Sequence, residues 1–244
     1  MRLRAKPTFL FVRDILLAMW EEIIENVYAA FGADNSANAY VLVGKQVALI
    51  DTGLVQGSRQ LKEGLSSIGL TPKDVNLIFH THGHIDNIAA DYLFPKAQVW
   101  MHPGDALYVN AKDAQFAHME KVGIKENKWM SVHQTFVEKQ HFDLGNLALQ
   151  VLFTPGHTKG SVSFMEENRR LLFCGDALFA TGLGRWDLLT GNKPQVISSA
   201  RKILFSSPRM ILPGHGLPMK ARGSASIARQ LERLMTEELP ENFV

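Results

Sequence analysis

Four apolar, strand-like runs in this sequence each end at a short turn that carries a histidine or an aspartate. Each turn also contains a glycine, and loops that leave a strand are where rigid scaffolds hold functional groups. Chance does not readily produce the same arrangement four times. We therefore expect the polar side chains to gather at one edge of a sheet structure. The runs are Val75–Phe79, Leu149–Phe153, Leu171–Cys174 and Met210–Leu212, and the polar residues that follow them are His82, His84, Asp86, His157, Asp176 and His215.

The first of these turns has a composition that suits a metal ion. His82, His84 and Asp86 alternate along it, which offers two imidazoles and one carboxylate on one tight loop. Zinc, iron and manganese are all bound by such a set. Alone the motif is modest evidence, because nine histidines in 244 residues allow it to arise by accident on a surface loop. The other three turns each add one histidine or aspartate at a strand end, which makes metal binding the better interpretation.

The rest of the pattern predicts strands in two clusters, with helices between and after them. Short β-rich runs are separated by turn residues, whereas Leu61, Leu65 and Ile68 have helical spacing. This order favours α/β architecture with two sheets inside and helices outside. The predicted strands are Ile23–Val27, Tyr40–Val43, Val47–Ile50, Val75–Phe79, Phe136–Val137, Ala148–Phe153, Ser161–Met165, Leu171–Cys174 and Met210–Leu212. The predicted helices are Ser58–Ile68, Gln195–Phe205 and Ser224–Met235, with Pro103–Met130 helical and irregular.

Length and composition favour one main domain. The chain has 244 residues, of which 46% are hydrophobic, so it can bury a full core. No separate cofactor-binding module is expected to fit. We assign residues 20–244 to the domain and residues 1–19 to an N-terminal extension of unclear role. Arg13 and Asp14 interrupt the apolar part of that extension, which disfavours a secretory signal.

Charge and cysteine content limit the partners and the compartment. The formal net charge is +2, and charged residues are spread along the chain without the blocks that mark nucleic-acid or membrane binding. Charge therefore says little about partners. Our expectation is a small-molecule substrate, with no nucleic acid and no membrane as partner, and a homodimer stays an open alternative. Cys174 is the single cysteine, which excludes a disulfide framework and favours the reducing cytoplasm.

The ordered set of turns resembles the metallo-β-lactamase-fold superfamily. The resemblance covers about residues 20–235 and implies an α/β, four-layer αβ/βα sandwich with a metal site at one edge. The blocks that carry it are Leu49-Ile50-Asp51-Thr52-Gly53, the His82 segment, His157, Asp176 and His215. It implies one metal ion held by His82, His84 and His157, a second held by Asp86 and His215, and Asp176 as the bridge between them.

The stretch Gly175-Asp176-Ala177-Leu178-Phe179, followed by residues 182–187, is similar to the glyoxalase II-like branch. That branch includes hydroxyacylglutathione hydrolases and the related persulfide dioxygenases. The resemblance implies a metal-dependent hydrolase in which metal-bound hydroxide attacks an ester or thioester carbonyl, with Asp86 as the catalytic residue that orients or deprotonates the water. Zinc is the expected cofactor, as one or two ions, with iron and manganese as alternatives.

Two other functions stay open. One is a mononuclear iron oxygenase that resembles persulfide dioxygenases, in which His82, His157 and Asp176 form a two-histidine, one-carboxylate face. The other is a non-catalytic relative that keeps only the scaffold. A β-lactamase is disfavoured, because a periplasmic enzyme is expected to carry an export signal.

Asn87 departs from the pattern of the superfamily, which places a histidine directly after the aspartate of the first turn. An amide is a poorer metal ligand than an imidazole. The second metal set therefore keeps only Asp86, His215 and the shared Asp176. We expect weak or absent occupancy of the second metal position.

The other polar residues near the turns are assigned supporting or structural roles. Asp51 is expected to support the ligand loop from behind, with a plain turn cap as the alternative. Arg185 and Asp187 are expected to pair, either to brace the Asp176 loop or as an exposed ion pair. Cys174 is expected to be an inert buried thiol. The histidines without a ligand-like turn, expected to be structural or exposed, are His80, His102, His118, His133 and His141.

Overall fold

The computed structural model describes residues 20–125 and 128–220, in which two β-sheets lie face to face. In the first sheet the strands lie side by side in the same order as they follow along the chain. They are β1 (Trp20–Ile24), β2 (Val27–Ala30), β3 (Ala39–Val43), β4 (Val47–Ile50), β5 (Val75–Phe79), β6 (Gln98–Met101) and β7 (Gln134–Thr135). The second contains β8 (His141–Asp143), β9 (Ala148–Phe153), β10 (Val162–Glu166), β11 (Leu171–Gly175), β14 (Met210–Pro213) and β15 (Met219–Lys220), in the spatial order β15, β14, β11, β10, β9, β8. A short ribbon joins β12 (Leu178–Phe179) to β13 (Gly182–Leu183).

The described residues also form the helices α1 (Ser58–Ser67), α2 (Ile85–Ile88), α3 (Pro103–Asn110) and α4 (Lys193–Phe205). Local sequence explains where the longer ones begin. A proline lies in the first turn of both α3 and α4, where its missing N–H costs nothing. The Asn192 side chain caps α4 by accepting a hydrogen bond from Gln195 N at 3.0 Å. None of these helices is long and apolar enough to cross a membrane.

Alternation along the strands distributes apolar side chains between two faces. In β4, Ala48 and Ile50 lie in the core between the sheets, whereas Val47 and Leu49 lie in the cluster that contains α1. This period of two is what a strand buried on both faces requires. The inter-sheet core is aromatic at its centre, where the Phe79 ring lies 5.7 Å from that of Phe164. Each such buried side chain stabilises the fold by about 1.5–3 kcal/mol.

Helices cover the outer faces of both sheets. On α1, Leu61 and Leu65 are fully buried against the first sheet. On α4, Ala200 and Ile203 pack with Leu172 and Ile211 of the second sheet. The order of layers is therefore helix, sheet, sheet, helix, which confirms the predicted four-layer αβ/βα sandwich.

Most of the predicted elements are present, and two strands differ. The predicted strand Ile23–Val27 is wrong, because Asn26 (φ 67°) forms a turn that separates β1 from β2. The predicted strand Phe136–Val137 is also wrong. Its neighbours Gln134 and Thr135 pair with β6 instead, while Phe136 turns into the core. The predicted helix Ser224–Met235 and the extension 1–19 lie outside the described residues.

Strand directions bring the ends of five strands to one edge. β4 and β5 are parallel, and so are β11 and β14. β9 runs in the same direction as β11, because β10 is antiparallel to both. The residues that follow these strands are therefore neighbours within each sheet, although they are far apart in sequence. Val162 N donates to the Thr81 carbonyl oxygen at 2.8 Å, which joins the two sheets at this edge.

Candidate metal centre

Three histidines that follow β5 and β9 converge on one point. His84 Nδ1 lies 3.1 Å from His82 Nε2 and 2.9 Å from His157 Nε2. Nitrogen ligands bind zinc at about 2.0–2.1 Å, so two of them on one tetrahedral ion are roughly 3.3 Å apart. All three side chains are buried. The spacing and chemistry of this first set fit a single metal ion.

Hydrogen bonds on the far side of two rings select the tautomer that a metal ligand needs. His157 Nδ1 donates to the Arg185 carbonyl oxygen at 2.9 Å. His82 Nδ1 lies 3.1 Å from Thr81 Oγ1, and that hydroxyl donates to Asp51 Oδ2 at 2.7 Å, so it accepts from the ring. Nε2 of each ring is therefore left with a lone pair that faces the site.

A second set consists of Asp86, Asp176 and His215. His215 Nε2 lies 3.1 Å from Asp86 Oδ2 and 3.7 Å from Asp176 Oδ2. The same Asp176 oxygen lies 3.5 Å from His157 Nε2, which is where a carboxylate shared by the two sets would stand. Asp176 Oδ1 is buried and has no hydrogen-bond partner among the described residues. A buried carboxylate oxygen without a donor fits a cation that supplies its missing partner.

Burial and neighbouring charges shift the pKa values of the histidines in opposite directions in the two sets. Burial, followed by the charges of neighbouring histidines, holds the pKa of His82 and His84 well below the usual range. Both rings are therefore neutral, which is the form that binds metal. Burial also lowers the pKa of His215, but its hydrogen bond to Asp86 and the charges of Asp176 and Asp86 outweigh this and raise it to about 9. His215 in the second set therefore keeps a proton, whereas His82 and His84 in the first set do not.

Metal binding by the second set is expected to strengthen as pH rises. A metal ion must displace the His215 proton, which in the metal-free chain is lost only near pH 9. By linkage, that proton stabilises the metal-free fold fully below about pH 6.5, and the contribution disappears as pH rises through about 9. We expect the affinity of this set to increase about tenfold per pH unit between neutrality and about pH 9. Calorimetric titration at two pH values measures it, and a pH-independent second binding step would contradict it.

Asp51 supports the first turn from behind, as predicted. It is buried and adopts φ 56° immediately after β4. Its carboxylate accepts hydrogen bonds from Thr81 N at 2.9 Å and from Asn87 Nδ2 at 3.0 Å. The buried ring of His80 also lies 3.4 Å from it. A turn cap alone does not describe a carboxylate that holds the ligand loop at several points.

Asn87 contributes its amide to this support. The side chain is fully buried, and its nitrogen binds Asp51. Its oxygen has no hydrogen-bond partner among the described residues. The backbone oxygen of Asn87 accepts from Thr52 N and Gly53 N, which links the first turn to the end of β4. The position that holds a histidine in the superfamily pattern is used here to hold Asp51.

Close packing explains two of the glycines in the turns. A Cβ on Gly83 would lie 2.8 Å from side-chain atoms of Phe116 and Val109. A Cβ on Gly214 would lie 2.2 Å from Asp176 Oδ1. Neither distance is tolerated, so larger residues would displace the ligand residues that flank these glycines.

A cavity of about 510 Å³ opens over both sets. Asp86 and His215 line it, and apolar walls come from Phe179 and Leu188. Concave sites with an apolar lining and a few convergent polar groups are typical of small-molecule binding. Arg185 also lines the cavity. It forms the predicted pair with Asp187, at 2.7 and 2.9 Å, and both side chains are exposed.

Sequence reasoning missed other residues of the site. The ring of His118 lies 4.7 Å from that of His84 and lines the cavity, although no ligand-like turn marks it in the sequence. The Thr81 hydroxyl hydrogen-bonds with both His82 and Asp51. Its position next to His82 in the sequence could have indicated this role. Asp105 lies on α3 with no local signal at all. Cys174 is buried as predicted, and burial raises the pKa of its thiol to about 12.

A sandwich of this kind, with histidines and aspartates gathered at one strand edge, defines a metal-binding α/β protein. The chain belongs to the metallo-beta-lactamase superfamily, whose family model matches residues 32–215. It is 33% identical over 205 residues to a probable metallo-hydrolase of Methanocaldococcus jannaschii, a match that covers 76% of this chain and 90% of the relative. It is 26% identical over 186 residues to a hydroxyacylglutathione hydrolase of Haemophilus influenzae, which covers 70% of this chain and 81% of the relative.

Solved structures with the same fold bear different functional names. The B3 metallo-beta-lactamase BLEG-1 has a TM-score of 0.73 at 25% identity, covering 84% of this chain and 99% of its own. TTHA1623 in a di-iron-bound form has a TM-score of 0.69 at 25% identity, and the match covers 81% of this chain and 96% of TTHA1623. ETHE1 from Myxococcus xanthus has a TM-score of 0.60 at 25% identity, and the match covers 87% of this chain and 91% of ETHE1. The predicted superfamily and fold are confirmed, and the probable metallo-hydrolases among its relatives support a metal-dependent hydrolase at the level of the superfamily.

Proposed function

We propose that this chain is a glyoxalase II-like hydrolase that cleaves a thioester or ester carbonyl with the help of zinc. The observation that carries the proposal is the three-histidine set, which lies beside Asp176 beneath a cavity that Asp86 also lines. The hydroxyacylglutathione hydrolase among the relatives supports a thioester substrate. The cytoplasm as compartment, a small-molecule substrate and the open alternative of a homodimer remain part of this proposal.

The side chains divide the work of such a reaction. His82, His84 and His157 would hold the first ion, with Asp176 shared between the two sets. When bound, the ion lowers the pKa of a coordinated water from 15.7 toward about 7 and stabilises negative charge on the substrate oxygen. Asp86 lines the cavity, and its Oδ2 lies 3.1 Å from His215 Nε2. There it accepts a hydrogen bond from the water, orients it toward the carbonyl and can take its proton at Oδ.

The cavity walls would position the substrate. Phe179 and Leu188 provide apolar contact for the acyl chain, and the cationic Lys121 and Arg185 stand at the same cavity. Holding the carbonyl at the end of a largely apolar cavity excludes competing water and fixes the angle of attack.

Persulfide oxidation by a mononuclear iron site is the second candidate. His82, His157 and Asp176 would form the two-histidine, one-carboxylate face that such oxygenases use. Asn87 favours this candidate, because one-metal chemistry loses nothing when the second set is weakened. A non-catalytic relative is the third reading, and it predicts no turnover of either substrate.

Parallel assays separate the candidates. Thiol release from a hydroxyacylglutathione thioester is measured with zinc-loaded protein, and oxygen uptake on glutathione persulfide with iron-loaded protein. We expect thiol release that requires metal and no oxygen uptake. Oxygen uptake without thiol release would overturn the hydrolase proposal in favour of the oxygenase.

The variant Asp86→Asn tests the residue placed at the water. We expect kcat for thiol release to fall about 10²–10⁴-fold, the usual contribution of a general base, while the first metal ion stays bound. Asp143→Asn is the matched control, because Asp143 caps a surface turn by accepting from Gly145 N at 2.7 Å. Wild-type kcat in Asp86→Asn would remove Asp86 from the mechanism.

A further inference from the structure

Asp105 is a fully buried carboxylate that joins the two loops of the first metal set. Its Oδ2 accepts from Gly83 N at 3.0 Å and from Thr158 Oγ1 at 2.6 Å, and its Oδ1 accepts from Gly160 N at 2.8 Å. Gly83 stands between the two ligand histidines of the first turn. Thr158 directly follows His157, the third histidine of the set.

We propose that Asp105 is a positioning residue that sets the relative placement of His82, His84 and His157. It touches none of the three rings and acts through the backbone that carries them. The inference rests on the metal binding in the proposed function, but it does not depend on the substrate.

Three observations favour positioning over simple space filling. First, all three donors come from ligand loops, 22 to 55 residues away in sequence. Second, both carboxylate oxygens are used, as the burial of a charged group requires. Burial raises the pKa of Asp105, and the hydrogen bonds from Thr158, Gly83 and Gly160 oppose that rise.

Third, the cradle leaves no room for adjustment. A Cβ on Gly160 would lie 2.4 Å from Asp105 Oδ1, so only glycine lets the His157 loop come this close. The loop of the first turn packs against Asp105 at ordinary van der Waals distance, because a Cβ on Gly83 would lie 3.4 Å from Asp105 Cβ. Asp105 is hydrogen-bonded to both loops and therefore fixes how far apart their ligand nitrogens lie.

The isosteric variant Asp105→Asn keeps the shape but turns one acceptor into a donor. Its NH₂ group must then face the backbone N–H of Gly83 or of Gly160, so the loop that carries that N–H is pushed away. Groups that orient metal ligands from behind typically contribute about 10-fold to 100-fold in affinity. We expect the first equivalent of cobalt(II) to bind more weakly by that factor and its visible absorption bands to shift. The second equivalent should keep its affinity.

Thr158 supplies a milder test that does not alter the buried charge. Thr158→Val removes the hydroxyl donor at constant volume, and Thr158→Ser retains it. We expect Thr158→Val to shift the cobalt bands in the same direction as Asp105→Asn, and Thr158→Ser to restore the wild-type spectrum. Asp113→Asn is the matched control, because Asp113 caps a nearby turn by accepting from Phe116 N at 2.9 Å.

Cobalt(II) titrations with absorption spectra, together with thermal unfolding of the metal-free forms, decide the matter. A purely structural role would lower the unfolding temperature of metal-free Asp105→Asn and leave the spectrum of bound cobalt unchanged. That result, or a wild-type spectrum in Thr158→Val, would overturn the inference while leaving the proposed function intact. Failure of the wild-type chain to bind cobalt would overturn both.

Discussion

Replacing His157 with alanine is expected to lower kcat/KM for thioester hydrolysis by at least about 10³-fold. Its Nε2 lies 2.9 Å from His84 Nδ1 and 3.5 Å from Asp176 Oδ2, so this ring stands where the two sets meet. Losing it leaves two imidazoles for the first ion. Lewis-acid stabilisation is worth several kcal/mol, and each 1.36 kcal/mol corresponds to about a factor of ten in rate.

Steady-state kinetics and metal content of the same preparation test this expectation. His141→Ala is the matched control, because the ring of His141 is exposed and hydrogen-bonds with Glu167 and Gln150. We expect wild-type kinetics from it. If His157→Ala kept both its metal ion and a kcat/KM within tenfold of wild type, the three-histidine set would not be the reactive centre.

The variant Asn87→His is expected to raise the metal content from about one ion per chain to about two. The second set offers one imidazole and two carboxylates, one of them shared with the first set. An added imidazole at position 87 would complete it in the way the superfamily pattern does. The variant also removes the hydrogen bond from Asn87 Nδ2 to Asp51, so a modest loss of stability is expected alongside the gain in metal.

Asn87→Ala separates the two effects, because it loses the bond to Asp51 and adds no ligand. We expect it to retain about one ion per chain. Two ions bound with similar tightness by the wild-type chain would contradict the account of Asn87. Such an outcome is physically possible in this fold, because TTHA1623 has been solved in a di-iron-bound form.

The six candidate ligands could be predicted because the signal is local. Each lies in a turn that directly follows an apolar run, as His157 follows β9 and Asp176 follows β11. Strand ends and glycine-bearing turns are properties of a few adjacent residues. The direction of the strands then gathers the ligand-bearing turns, because parallel strands have their ends at the same edge of a sheet.

Asp51 was predicted as a supporting residue, but Asp105 and His118 could not be, because their partners are remote in sequence. Asp105 bonds to Gly160 across 55 positions, and nothing next to Asp105 in the sequence marks it. His118 has a left-handed backbone (φ 59°) in a segment without regular periodicity, and only the fold brings it to the ring of His84. The turn at Asn26 was missed for a different reason, since β-rich residues flank it on both sides and conceal a two-residue change of direction.

Elemental analysis of the chain purified without added metal tests the central claim most directly. The account predicts about one divalent ion per chain in the wild type, with zinc as the metal, and its loss in His82→Ala. Stoichiometric iron would move the assignment to the oxygenase. A folded wild-type chain that holds no metal, even after equilibration with zinc, would contradict the account.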